Sequence, residues 1–265
     1  MINTKSVRRS ILNMAYAGSA VHIGCAFSIV EILSVLYNNF LRFPENDCEH
    51  ENRDYLILSK GHGVMAQYAC MRDLGWLSQS ELDAYFSNGS QLKGLSDSRV
   101  KGLEVTSGSL GHGLSVGVGM AFGAALSGSD QRTFAIVGDG EINEGSVWEA
   151  LLFASHHQLR NLLVIVDANG FQAMGKTDEV IRLGNIGSKF EAFGFDVRTV
   201  DGHNEPSMQT TIEQLLSLPT TKPKALIANT IKGKGVSFME NNNVWHYSRL
   251  NSETLKQALT EIDEA

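Results

Sequence analysis

Proline is scarce in this 265-residue chain, with 4 residues, and cysteine scarcer still, with 3. So little proline excludes a proline-rich linker or an extended polyproline segment. Cys25, Cys48 and Cys70 are odd in number and lack CxxC spacing. That argues against a disulfide framework or a zinc knuckle and points to reduced thiols in a cytoplasmic protein. Basic residues are outnumbered 22 to 29, for a net charge of −7, so nothing favours nucleic acid or an anionic membrane surface as a partner. No uninterrupted apolar run approaches the roughly 20 residues of a membrane span, so a soluble chain is expected. The opening MINTKSVRRSILNMAYAGSA carries a basic patch, but its apolar positions recur at helical spacing, which describes a first helix and not a signal peptide. Serine/glycine linkers, low-complexity runs and internal repeats are also missing. Residues 1–265 are therefore expected to form a single domain with a sizeable core.

Glycine, by contrast, is plentiful at 26 residues, and much of it falls in GHG, GSLGHG, GVG, GDG and KGKG, at the apparent ends of elements. The spacing predicts a first helix over about 4–18 and a second over VEILSVLYNNFL, opened by a capping box Ser28-Ile-Val-Glu31. A short buried strand, DYLILS (54–59), leads through GHG into a helix ending near Asp73, and Ser78 with Glu81 forms another capping box. Residues 87–112 read as a long glycine- and serine-bearing loop, unusual inside a domain and more often functional than not. Then come a small-residue helix (LSVGVGMAFGAAL), strand 132–137, helix 144–157, strand 162–167, loop 168–180, helix 186–193 and strand 196–200. Helix 206–217, strand 224–230, a glycine-rich loop and a C-terminal helix close the chain. Strands that are apolar without alternation, separated by helices, indicate an α/β fold: three layers, α/β/α, around a mostly parallel sheet. Ligands of such sheets bind beyond the carboxyl ends of the strands, so the loops beginning at Ser59, Gly138, Asp167 and Thr230 should converge.

Two of those loops carry unusual residues. The strand RTFAIV ends in Gly138-Asp139-Gly140, and the next apolar strand ends near Asn169. Glycines on both sides let the backbone turn tightly and approach a ligand. A carboxylate and an amide carbonyl at adjacent strand ends suit Mg²⁺, which takes few protein oxygens and fills its octahedron with water or phosphate oxygens. The carbonyl of Phe171 could join them. The plainer reading is that Asp139 caps the helix beginning near Asn143.

GDG followed by 27 residues and then Ala168-Asn169 resembles the signature of thiamine-diphosphate enzymes, which usually ends in two asparagines; Asn169 keeps the position of the metal ligand. The likeness runs along nearly the whole chain. Val21-His-Ile-Gly24, LSKGHG (58–63), GLEVTSGSLGHGLSVGVGMA (102–121), VGDGEINEGSVWEA and TIKGKGVSFMEN with WHY (245–247) resemble the transketolase family, specifically its amino-terminal half made as a separate chain.

The resemblance implies a thiamine-diphosphate-binding fold and a set of roles. Asp139, Asn169 and the Phe171 carbonyl would hold Mg²⁺ (Ca²⁺ or Mn²⁺ could substitute), with Gly138 and Gly140 shaping the diphosphate turn. His62 and His246 match histidines that contact the diphosphate, and Gly108 and Leu110 lie in the GSLG stretch against the thiazolium region. Glu144 matches a buried glutamate linking cofactor sites across a subunit interface, and His22 one that moves protons at substrate hydroxyls. Lys232 and Lys234 would add charge near the phosphate end or form a solvated turn. His112, His156, His157 and His203 read as surface or structural groups, and Glu141 and Glu149 as helix-surface charges. The reaction implied is transfer of a two-carbon glycolaldehyde unit from a ketose (phosphate) to an aldose acceptor. The pyrimidine-binding half is missing, so a second chain of about 300 residues is expected, in an assembly of two of each.

Two positions depart from the family. Gly94-Leu-Ser-Asp97 puts Leu95 where transketolases carry a histidine that hydrogen-bonds the donor, and His112 stands where glutamine is usual. Losing a hydrogen-bonding group can cost orders of magnitude in discrimination. Leu95 therefore keeps open acetyl transfer from a pyruvate-like donor. Further alternatives are a non-catalytic cofactor-binding subunit or a 2-oxoacid dehydrogenase E1 α-like chain. The latter does not account for His22, LSKGHG or TIKGKG with WHY.

Overall fold

Strands that are apolar throughout can be buried only if both faces of their sheet are covered, and the sheet here is built that way. A computed structural model describes residues 1–264. The strands are β1 (Tyr55–Leu58), β2 (Thr133–Gly138), β3 (Leu162–Ala168), β4 (Phe171–Gln172), β5 (Gly175–Lys176), β6 (Asp196–Asp201) and β7 (Lys224–Asn229). Five of them form one sheet in the order β1-β2-β3-β7-β6, every pair parallel; β4 and β5 make a separate antiparallel hairpin.

Successive residues of a strand face opposite ways, and each set finds its own helices. Leu58, Ile136, Ile165 and Leu226 pack with residues of helices Thr4–Ala17, Val64–Asp73, Glu205–Ser217 and Ser252–Glu264. Ile57, Ala135, Val164 and Ile227 pack with helices His112–Leu126, Gly145–His156 and Ile186–Ala192. The three-layer α/β/α expectation is borne out. The return step from β6 to β7 runs against the β1-to-β3 direction. It puts helix Glu205–Ser217 on the face opposite helix Ile186–Ala192, as right-handed crossovers require.

Most expected elements lie within a residue or two of their expected bounds, and the Ser78–Glu81 capping box is present in full. The Ser28–Glu31 box is not. Ser28 Oγ donates instead to Asp167 and to the Cys25 carbonyl, and Glu31 turns to Arg8 and His203, so tertiary partners take both side chains. Loop 168–180 also contains the β4–β5 hairpin and a short helix, Thr177–Val180. The helical stretch Ile23–Phe40 is long and apolar enough, by length and composition, to cross a membrane, but Ser28, Glu31 and Ser34 interrupt it and 89% of it is buried within the fold.

Candidate active site

The loops that leave β1, β2 and β3 meet at a cavity of about 350 Å³ whose lining includes His22, Lys60, His62, Gly138, Asp139, Asn169, Phe171 and His246. Convergence at the carboxyl ends of parallel strands is the arrangement anticipated for this class of sheet. Asp139 is 3% exposed and begins a tight turn, its carboxylate accepting from the N–H groups of Gly140 (2.8 Å) and Gly170 (2.6 Å). The capping alternative is thus true only of that short turn: the longer helix starts at Gly145. Gly140 must be glycine, because a Cβ there would lie 2.6 Å from the Cβ of Gln172. A Cβ on Gly138 would meet nothing in the chain closer than 3.9 Å, so that space is open to a ligand. Burial first, and then the charge of Asp167, push the Asp139 carboxyl up to about 7.

Beneath Asp139 lies a charge pair that the sequence reading did not single out. Lys60 and Asp167 are both buried, with Nζ 2.5 Å from Oδ2. Asp167 also accepts from Ser28 Oγ (2.8 Å), Asn169 Nδ2 (2.9 Å) and Thr230 Oγ1. Burial works to raise the Asp167 carboxyl, yet Lys60, Thr230 and Ser28 outweigh it and lower it. Likewise burial works against the Lys60 ammonium, and Asp167 holds it raised. The bond to Asp167 fixes which way the Asn169 amide points, leaving Oδ1 to accept from Phe171 N at 3.0 Å.

Three histidines form one wall. His22 stands 5.2 Å, centroid to centroid, from both His62 and His246, and the last two are 5.8 Å apart. His22 has φ 68° and ψ 22°, a left-handed conformation that is uncommon for a side-chain-bearing residue and typical of functional sites. Its N–H is held by the His246 carbonyl at 3.1 Å. Burial, followed by Lys232 and Lys60, lowers His22 to about 4; burial, with Lys232 next, lowers His246 to about 3. His62 is pushed well below its ordinary value, chiefly by burial. Burial thus favours the neutral form of each ring. Lys232 is buried, with Nζ 2.8 Å from His246 Nδ1 and 2.9 Å from Asn243 Oδ1. Burial lowers the Lys232 ammonium from its ordinary value; with Lys232 protonated it can only donate, which assigns Nδ1 as the acceptor and the imidazole proton to Nε2.

Other expectations fare unevenly. Gly108, Leu110 and Leu95 line the cavity as well, and a Cβ on Gly108 would come 2.8 Å from Leu95 Cδ1. Lys232 is no solvated turn, whereas Lys234 is partly exposed beside Glu240. His112, His156 and His157 are exposed, and His203 is structural, 2.8 Å from Glu31. Glu144 is exposed on this chain and does not line the cavity, so the buried environment implied for it is not provided here.

Glu141 is a clear correction. Read as a surface charge, it is 2% exposed, and its carboxylate accepts from Ser59 Oγ (2.5 Å), Gly111 N (2.8 Å) and Gly138 N (3.1 Å). It therefore ties the β1 loop, the GSLG loop and the GDG turn together. The turn from Gly140 to Asn143 is what directs it inward, in place of the exposed helical position first expected.

The residues fit a metal-bound diphosphate. Asp139, Asn169 and Phe171 border one cavity, and Gln172 adds a buried Nε2 donor without a partner in the chain. Among the described residues no cluster of three or more His, Cys, Asp or Glu has metal-holding geometry. Charge on a cation there would have to be completed by neutral oxygens and by the ligand itself, as Mg²⁺ permits.

Residues 4–262 match the family described as "Transketolase, thiamine diphosphate binding domain". An apulose-4-phosphate transketolase subunit of Phocaeicola vulgatus is 37% identical over 265 residues, covering 99% of this chain and 93% of that protein. The 6-deoxy-6-sulfo-D-fructose transketolase subunit SqwG of a Clostridium species is 36% identical over 244 residues, 92% and 88% of the two chains. Among solved structures, the transketolase of Campylobacter jejuni superposes with a TM-score of 0.89 at 28% identity, over 98% of this chain and 42% of its own. A Pichia stipitis transketolase variant gives 0.90 at 25%, over 98% and 40%. This chain thus spans less than half the length of those solved enzymes. The chain belongs to the transketolase family of transferases and corresponds to its thiamine-diphosphate-binding domain.

Proposed function

We propose that this chain is the diphosphate-binding subunit of a two-chain, cytoplasmic, Mg²⁺-dependent transketolase that moves a glycolaldehyde unit from a ketose phosphate to an aldose acceptor. Residues 1–265 act as one domain, and two copies pair with two of a pyrimidine-binding partner. The observation that carries the reading is the pairing of Asp139 and Asn169 at adjacent strand ends, in the same cavity as three neutral histidines. When bound, thiamine diphosphate supplies the electron sink for carbon–carbon bond cleavage.

The chain's own residues divide the remaining work. Asp139, Asn169 and the Phe171 carbonyl hold the cation, and Gly138 and Gly140 admit the diphosphate to the backbone. His246, with Nδ1 held by Lys232, presents Nε2–H as a donor to phosphate oxygens, and His62 donates beside it. Leu110 and Gly108 pack the cofactor's ring region. Neutral His22, fixed by its bond to the His246 carbonyl, can accept and return a proton at a substrate hydroxyl. Glu144, exposed here, is suited to contact across a subunit boundary.

The test is a reconstitution with the co-expressed partner chain, Mg²⁺ and thiamine diphosphate, offered xylulose 5-phosphate or pyruvate with an aldose acceptor. Acceptor lengthened by two carbons from the ketose supports the reading; no product with either donor overturns it. A second reading, acetyl transfer from a pyruvate-like donor, is favoured by Leu95, whose apolar side chain borders the cavity. Carbon dioxide released from pyruvate, without use of the ketose, would select it.

A further inference from the structure

A buried charge network on the other side of the β7 loop is not used by any role above. Arg8 and Glu31 are buried and make a two-point pair, with Nη1 2.7 Å from Oε1 and Nη2 3.0 Å from Oε2. Glu31 Oε2 also lies 2.8 Å from His203 Nδ1. His203 Nε2 accepts the N–H of Ile231 at 2.8 Å, so its proton must reside on Nδ1, donated to Glu31. At the other end, Arg8 Nε donates to the Lys234 carbonyl at 3.0 Å. Burial works against the Glu31 carboxylate, but His203 and Arg8 outweigh it and keep the group ionised.

The two backbone contacts, at Ile231 and Lys234, bracket Lys232. Lys232 in turn holds His246 Nδ1, and with it the tautomer that faces the cavity. Buried charged networks are costly unless complete, and this one reaches the site only through the loop it grips. We propose that Arg8, Glu31 and His203 are positioning residues for the cofactor site: they clamp the loop so that the Lys232 ammonium sets His246 for the diphosphate. This rests on the proposed function, since the ligand is thiamine diphosphate.

Asparagine and glutamine separate the two contacts of His203, because the Asn amide reaches the position of Nδ1 and the Gln amide that of Nε2. His203→Gln keeps an acceptor for Ile231, whereas His203→Asn keeps only the bond to Glu31. The experiment titrates thiamine diphosphate with Mg²⁺ into the full two-chain complex, following binding by calorimetry and folding by thermal melts. His203→Asn is expected to weaken binding about tenfold, the order seen when outer partners of ligating groups are removed, and His203→Gln to stay near wild type. A structural role alone would move the melting temperature of both variants and the affinity of neither. Equal affinity in both variants overturns the proposal. Should the His203 variants fail to fold, Arg8→Lys keeps the charge on Glu31 but loses the donor to Lys234. Unchanged affinity there overturns the clamp, and weakened affinity with kcat retained supports it. A wild-type complex that binds no thiamine diphosphate overturns the proposed function, and the clamp with it.

Discussion

Two buried aspartates stand at opposite ends of the central sheet, and their surroundings differ in kind. Asp54, just before β1, accepts from the Arg42 and Arg132 guanidiniums at 2.8 Å each and from the backbone N–H of both residues. Burial works to raise its carboxyl, but the hydrogen bonds from Arg42 and Arg132 prevail and lower it. Asp139, just after β2, has two backbone N–H donors and another acid nearby, and is pushed up to about 7. One acid is neutralised by the fold; the other is left short of positive charge. A charge that holds structure is matched within the chain, whereas Asp139, proposed above to take a cation, is not.

The largest effect is expected at Asp139. Asp139→Asn is expected to reduce two-carbon transfer by more than about 100-fold, since even outer partners of a metal ligand cost 10–100-fold. Its melting temperature should be equal to or above wild type, because an uncompensated buried carboxylate is removed. A variant that loses activity only through unfolding would contradict this. Asp54→Asn should do the reverse, destabilising the chain by about 3 kcal/mol, as expected on breaking a buried pair, while activity per folded molecule is retained. Denaturant titration beside an activity assay checks both halves.

Leu95→His tests the cavity rim. It restores a hydrogen-bonding group, and kcat/KM for a ketose donor should rise about tenfold, a fraction of what a complete hydrogen-bonding site can supply; a fall would show that the leucine itself contacts the substrate. The smallest effect expected is on pH. His22 and His246 drop from the usual 6.5 to about 4 and about 3 on folding, first through burial. At these two sites the unfolded chain binds more protons, so their contribution to stability, full above pH 6.5, is lost as pH falls toward 3. The loss is offset in part by Asp139, whose raised carboxyl takes up a proton on folding below about 7. Melting temperature against pH should show this slope, and His246→Gln should flatten it.

The sheet and its order of elements were legible because apolar strands and helix spacings depend on local pattern. The GDG turn, Asn169 and the histidines were legible because their spacing matched a family. Lys60 and Asp167 were on view within LSKGHG and the VIVDAN stretch, yet their pairing was not, since it joins residues 107 positions apart. An ionisable residue at the end of an apolar strand was the available signal. Glu141 was misread because local helical pattern cannot report that three loops converge on one carboxylate. Ser28 and Glu31 failed as a capping box for the same reason: the residue types suited the local motif, but stronger partners lay 139 and 172 positions away. Long-range polar partners were the part that sequence pattern could not reveal.

The reading proposed above rests on Asp139 and Asn169 forming a cation site for a diphosphate cofactor. The most direct measurement is calorimetric titration of thiamine diphosphate into the reconstituted complex, with Mg²⁺ and with the metal chelated, for wild type and Asp139→Asn. Saturable binding that requires the metal and is lost in the variant is the predicted result. Binding of equal strength without metal, and unchanged in Asp139→Asn, would contradict it.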